Sequence, residues 1–255
     1  MLATATGIVL SRRRLRESDA VARVLLESGQ LLEMRLHGIQ ESRRRSPLIM
    51  EPLSVVEVVY YVQERGALHS LKEARVLQRH EALKNRYDDL LAGSCVAELS
   101  ELAARTEALP ELYVLAAGAL GALNEGCETA LLLVFFRIRL LRLLGLLGDL
   151  TAATSYEEAL GLEEGSVARR ARGTRIMSTE AGAVVQSYLI SILTRAVSLR
   201  FGRFQQALKR GDPRDPGGDW MDCVDQDLHG CLVAFAGREL KAARMYFKER
   251  SRIGP

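Results

Sequence analysis

Over the first 76 residues, apolar positions fall in short β-branched runs separated by polar or glycine-bearing breaks, the pattern of strands. Five runs stand out, at Thr6–Ser11, Ala20–Glu27, Leu31–Leu36, Ser54–Val62 and Leu68–Val76. Ser28-Gly29 and Arg65-Gly66 lie between runs where a tight turn needs positive φ, which glycine adopts without steric cost. Five strands in so short a stretch predict a small closed barrel. The OB-fold is the common five-stranded solution, with an SH3-like barrel as its competitor. After His80 the period lengthens, and Leu90, Leu91, Val96, Leu99 and Leu102 recur at helical spacing. Pro110 opens a second helix in the turn that tolerates proline, Thr129 is placed to cap a third, and Ala183–Arg200 makes a fourth. The prolines and glycines between Gly211 and Gly218 predict a loop, and a last helix is expected from about Cys223 to Lys248. The reading is an α+β chain, with a five-stranded barrel over 1–79 followed by an all-helical domain over 80–255.

Charge changes this picture through its distribution. The net formal charge of +3 does not by itself point to nucleic acid. The cations, however, are almost all arginine, clustered at Arg12-Arg13-Arg14-Leu15-Arg16, Arg43-Arg44-Arg45, Arg169-Arg170-Ala171-Arg172 and the tail from Arg238 to Arg252. Arginine presents a planar fork that fits phosphate oxygens and stacks on bases. The first two clusters are expected on loops flanking barrel strands, bordering a groove that can follow a nucleic-acid backbone. The competing explanations are a solvated face and a general compositional bias towards arginine. Aromatic platforms are scarce, with only Tyr60 and Tyr61 adjacent in the barrel, so backbone contact rather than base reading is the expected mode.

Other classes are disfavoured. The most apolar stretch, Ala130–Leu147, is interrupted by Arg137, Arg139 and Arg142, so its uncharged runs fall far short of the ~20 residues of a bilayer span. It reads as a buried helix. The first residues lack the basic-then-apolar pattern of a secretory signal, so a cytoplasmic protein without a membrane role is expected. Cys95, Cys127, Cys223 and Cys231 form no CxxC pair and read as reduced, apolar filler. There is no GxSxG, phosphate loop or HExxH, so neither catalysis nor a cofactor is expected. His37 and His80 read as surface or satisfied polar residues. Asp219, Asp222, Asp225 and Asp227 could suggest a metal-dependent nuclease site, but at a helix start they more simply complement its positive end.

Several stretches together resemble the RecO family of recombination mediators. They are Thr6-Gly7-Ile8-Val9-Leu10 followed by Arg16-Glu17-Ser18-Asp19, Met50-Glu51-Pro52-Leu53-Ser54 after a basic loop, Phe136-Arg137-Ile138-Arg139-Leu140-Leu141-Arg142-Leu143-Leu144-Gly145, and Gly237-Arg238-Glu239-Leu240-Lys241-Ala242-Ala243-Arg244. The resemblance implies an amino-terminal OB-fold and a helical carboxyl-terminal domain. It also implies binding of single- and double-stranded DNA, strand annealing, and loading of recombinase onto DNA coated with single-strand-binding protein (SSB), in cooperation with RecR and SSB. Together with the arginine clusters, it nominates Arg12, Arg13, Arg14, Arg16, Arg35, Arg43, Arg44, Arg45, Arg238, Lys241 and Arg244 as DNA contacts. Arg139 and Arg142 are nominated to receive the acidic, hydrophobic-ended tail of SSB. A barrel module that coats DNA without mediator activity is the competing reading.

The chain departs from the family in one place. RecO proteins commonly carry a four-cysteine zinc module after the Leu-Gly-containing helix, and here an alanine stands where the first cysteine is expected. Between Asp149 and Glu180 there is no cysteine and no histidine. Structural zinc needs four closely held ligands, so a zinc-less variant is expected, with a degenerate module at about 149–180.

Overall fold

The computed structural model describes residues 1–15, 17–39, 47–63, 68–161, 180–209, 220–237 and 240–253. Its strands are β1 (Leu2–Arg14), β2 (Ala20–Leu26), β3 (Leu31–Leu36), β4 (Val55–Tyr61) and β5 (His69–Gln78), with a 3-10 turn at Pro47–Met50. The helices follow as α1 (Glu81–Lys84), α2 (Tyr87–Ala104), α3 (Pro110–Asn124), α4 (Thr129–Leu143), α5 (Tyr156–Ala159), α6 (Glu180–Ser198), α7 (Phe201–Lys209), α8 (Trp220–Ala236) and α9 (Lys241–Ile253). The chain divides into two compact units, one of residues 1–129 with 240–255 and one of residues 130–239.

In the first unit the strands close in the order β1-β2-β3-β5-β4, with β3 and β5 parallel and the other neighbours antiparallel. That is the OB order, and the SH3-like alternative falls away. β1 is long enough to pair with β4 through its first half and β2 through its second, which removes both sheet edges. Alternation along the strands fills the interior with Val9, Ala22, Val24, Met34, Leu36, Val56, Val58 and Leu71. Each large aliphatic among them contributes about 1.5–3 kcal/mol of burial. The β2–β3 turn depends on Gly29, which has φ of +80°; a Cβ there would lie 2.2 Å from the Leu109 carbonyl carbon. Helices α2 and α3 cover the outside of β1 and β2, and α9 packs on α2.

In the second unit α4 buries every residue from Leu131 to Ile138, and Phe135 packs its ring on Phe201 and Phe204, each with centroids 5.4 Å apart. Residues 149–161, the described part of the expected degenerate zinc module, are held by hydrogen bonds. Asp149 Oδ1 accepts from the Thr151 N–H and hydroxyl, at 2.9 and 2.7 Å. Ser155 Oγ accepts the Glu158 N–H at 3.1 Å while Glu158 reaches back to the Thr154 N–H at 2.8 Å, a reciprocal cap on α5.

Three sequence expectations need correction. The last helix is broken: Gly237, with φ of +62°, ends α8, and α9 restarts at Lys241 in the other unit. Thr129 does not cap α4: it is already the helix's first residue, and its hydroxyl donates to Asp89 Oδ1 at 2.5 Å. Asp225 does not serve the positive end of α8, because it is buried as the ion-pair partner of Arg137; Asp222 keeps the first-turn position. The Arg65-Gly66 turn, Asp219 and the Arg169–Arg172 cluster lie outside the described residues.

Candidate nucleic-acid interface

Arg12, Arg13 and Arg14 are in β1 and not in a loop, paired with Ala22, Val21 and Ala20 of β2. The strand continues past Ser11 because β2 supplies partners to its end, a pairing that local sequence does not reveal. A bulge between Val9 and Ser11 then decides where the arginines point. Before it, odd-numbered residues such as Val9 face the core. After it the parity reverses, so Arg12 and Arg14 share the face of the core residues Ala22 and Ala20, and Arg13 shares the outer face with Val21. Arg13 and Arg14 are exposed and ion-pair with no described residue, whereas Arg12 is half-buried.

Arg35 lies in the same outer row as Arg13, since Val21 is the register partner of both. Two strand spacings separate them, about 10 Å. Arg35 is held by Asp19, whose Oδ2 accepts from Nε at 3.0 Å and Nη2 at 2.6 Å. The other Asp19 oxygen accepts the Gly38 N–H at 2.8 Å. That bond first, and then Arg35, hold the Asp19 carboxyl below its ordinary range. One carboxylate thereby ties the β1–β2 loop to the end of β3 and reduces the positive field at Arg35.

The row next to it is structural. Arg23 Nε donates to Glu33 at 2.6 Å, Arg23 Nη1 donates to Glu101 at 2.7 Å, and Ser11 Oγ donates to the other Glu101 oxygen at 2.9 Å. Arg105 joins Glu101 at 3.0 Å. These bonds fasten α2 across β1, β2 and β3.

Lys241 and Arg244 are exposed on α9, in one stripe with Met245 and Lys248 at helical spacing, while Leu240, Ala243 and Tyr246 face inward. The helix begins on Glu98 of α2, whose two carboxylate oxygens each accept a backbone N–H, from Lys241 and Ala242, at 2.8 Å. Sequence reasoning missed Glu98, Glu101 and Asp19 as organisers, because each acts on a partner distant in the chain. Arg16, Arg43, Arg44, Arg45 and Arg238 lie outside the described residues.

In the second unit Arg139 Nη2 donates to the Leu199 carbonyl at 2.7 Å, with its guanidinium 5.4 Å from the Phe135 ring centre. Arg142 is exposed. His80, in the first unit, is buried, with Nδ1 2.6 Å from the Leu53 carbonyl oxygen, and burial lowers its pKa. Among the described residues no group of three or more His, Cys, Asp or Glu is placed to hold a metal ion. None of the described helices is long and apolar enough to cross a membrane.

A closed barrel of this order, with cations carried on its strands, defines an OB-fold protein. Comparison with known families narrows the class. The family model for Recombination protein O N terminal matches residues 1–80, and that for Recombination protein O C terminal matches residues 85–210. The chain belongs to the RecO family. Similar curated relatives include the DNA repair protein RecO of Leptospira biflexa, 32% identical over 140 residues, 54% of this chain and 56% of the relative. The DNA repair protein RecO of Stenotrophomonas maltophilia is 30% identical over 156 residues, 60% of this chain and 64% of the relative. That of an Anaeromyxobacter species is 29% identical over 159 residues, 62% of each chain. The matched stretches span less than two thirds of each relative's length.

Proposed function

We propose that the chain is a DNA repair protein that binds single- and double-stranded DNA without catalysis. In this role it anneals strands and helps load recombinase onto SSB-coated DNA, with RecR and the tail of SSB as partners. The observation that carries the reading is an OB barrel in a RecO-family chain with Arg13 and Arg14 projecting, unpaired by described residues, from one strand end. Phosphates are the natural counterpart of such guanidinium groups, and contact through phosphates needs no reacting residue. Arg142, with Arg139 beside Phe135, suits an acidic, apolar-ended peptide. A nuclease built on the aspartates of α8 is disfavoured because Asp225 is committed to Arg137.

Two assays test the reading. Fluorescence anisotropy with labelled single strands and duplex should show binding to both that weakens steeply with salt. A recombinase-loading assay on SSB-coated single strands should show stimulation. Binding without stimulation would reduce the protein to a coating module, and cleavage of labelled DNA in magnesium or manganese would make it an enzyme.

A further inference from the structure

We propose that Leu2 and Tyr61 form a platform for one unpaired nucleobase, which makes the barrel favour single strands over duplex. The inference rests on the DNA-binding reading above and adds to it a base contact outside the arginine set. Leu2 and Tyr61 are register partners on β1 and β4, 44% and 46% exposed, and the Val62 N–H that follows donates to the Met1 carbonyl at 2.9 Å. Isolated exposed apolar residues need no explanation, but an exposed tyrosine ring beside its exposed leucine register partner on one outer face marks a contact surface.

Register identifies the occupant. Tyr61 pairs with Ser70, Ser70 with Arg35, Arg35 with Val21 and Val21 with Arg13. These positions form one oblique row on the outside of the barrel, returning to β1 eleven positions beyond its start at Leu2. Tyr61 lies about 10 Å from Arg35 and Arg35 about 10 Å from Arg13, two strand spacings in each case. Exposed Arg13 at one end of the row, Arg35 tied to Asp19 within it and an uncharged aromatic surface at the other end match a strand that carries phosphates and bases on one path. An acidic peptide would match Arg13, but the exposed Tyr61 ring at the other end offers a face that suits a planar base. Tyr60 cannot take the role, because it packs inward against the core and tilts against His69 at 5.4 Å. A base stacked within a duplex has no free face to offer Tyr61, whereas an unpaired base does.

The test uses the full chain, with anisotropy on labelled oligothymidine, a matched duplex, and an oligomer whose sugars carry no bases. Tyr61→Ala should weaken oligothymidine binding about tenfold and leave the duplex and the abasic oligomer unchanged. Tyr61→Phe should bind as the parent does, since the ring face and not the hydroxyl makes the contact. If the alanine protein melts too low to assay, Tyr61→Val keeps strand propensity without the π face and should show the same selective loss. Equal loss on all three ligands, or no loss on oligothymidine, overturns the platform. A parent protein that binds none of the three defeats the DNA-binding reading itself. Parent binding that Tyr61→Ala leaves intact defeats the platform alone.

Discussion

Arg137 on α4 and Asp225 on α8, both 0% exposed, form an ion pair inside the second unit. Neither charge has access to water, so each is stabilised by the other. Arg137→Met or Asp225→Asn alone should therefore cost about 3–5 kcal/mol, because the remaining charge or dipole is stranded. Arg137→Met with Asp225→Leu should be far milder than the sum. Denaturant unfolding of the two single variants and the double variant measures the coupling.

His229 in the same unit has its pKa pushed down to about 4, first by burial and then by the charge of Arg137. A depressed folded pKa means that the unfolded chain takes up a proton near pH 6.5 while the folded one does not. Stability should thus be level above about pH 6.5 and fall as pH drops from there towards 4, by about 1–2 kcal/mol after allowance for partial exposure. His229→Gln should flatten that slope in denaturation at pH 7.5 and pH 5.

Glu98 should matter to stability although it is not a core residue. Its carboxylate satisfies two backbone donors at the start of α9. Glu98→Ala should cost about 0.5–2 kcal/mol, the range for removal of a helix cap. Amide exchange in α9 should accelerate more than in α2.

Two kinds of arginine should separate cleanly. Arg13→Ala with Arg14→Ala should reduce the salt slope of single-strand binding by about 0.7 for each phosphate no longer neutralised and leave the melting temperature nearly unchanged. Arg23→Ala should do the reverse, lowering the melting temperature by releasing Glu33 and Glu101 while sparing the slope. A salt titration with parallel melting curves reads both.

The chain should fold without zinc. Protein purified without chelator should carry substoichiometric metal and melt at the same temperature with and without EDTA, as elemental analysis and calorimetry would show. One tightly held zinc per chain would require ligands that the sequence does not supply between Asp149 and Glu180.

The sequence alone determined the parts of the fold that depend on local periodicity. Strands with period two, the glycine turn at Ser28-Gly29, the helix opened by Pro110 and the buried character of α4 are all legible, because neighbours along the chain set them. Order and spacing of short stretches also carried the RecO resemblance that the family models bear out. Tertiary structure decided what depends on partners distant in sequence. β2 drew Arg12–Arg14 out of the expected loop and into β1, and the bulge before Ser11 reversed which of them faces outward. Gly237 broke the last helix and left α9 to pack on α2, across a gap of more than a hundred residues that no periodicity can bridge. Nothing local in the sequence separates Asp19 from Asp225, yet one ties the β1–β2 loop to the end of β3 and the other lies buried against Arg137. A side chain's charge is written in the sequence, but whether that charge meets water, a phosphate or another side chain depends on which elements the closed barrel and the helices bring beside it.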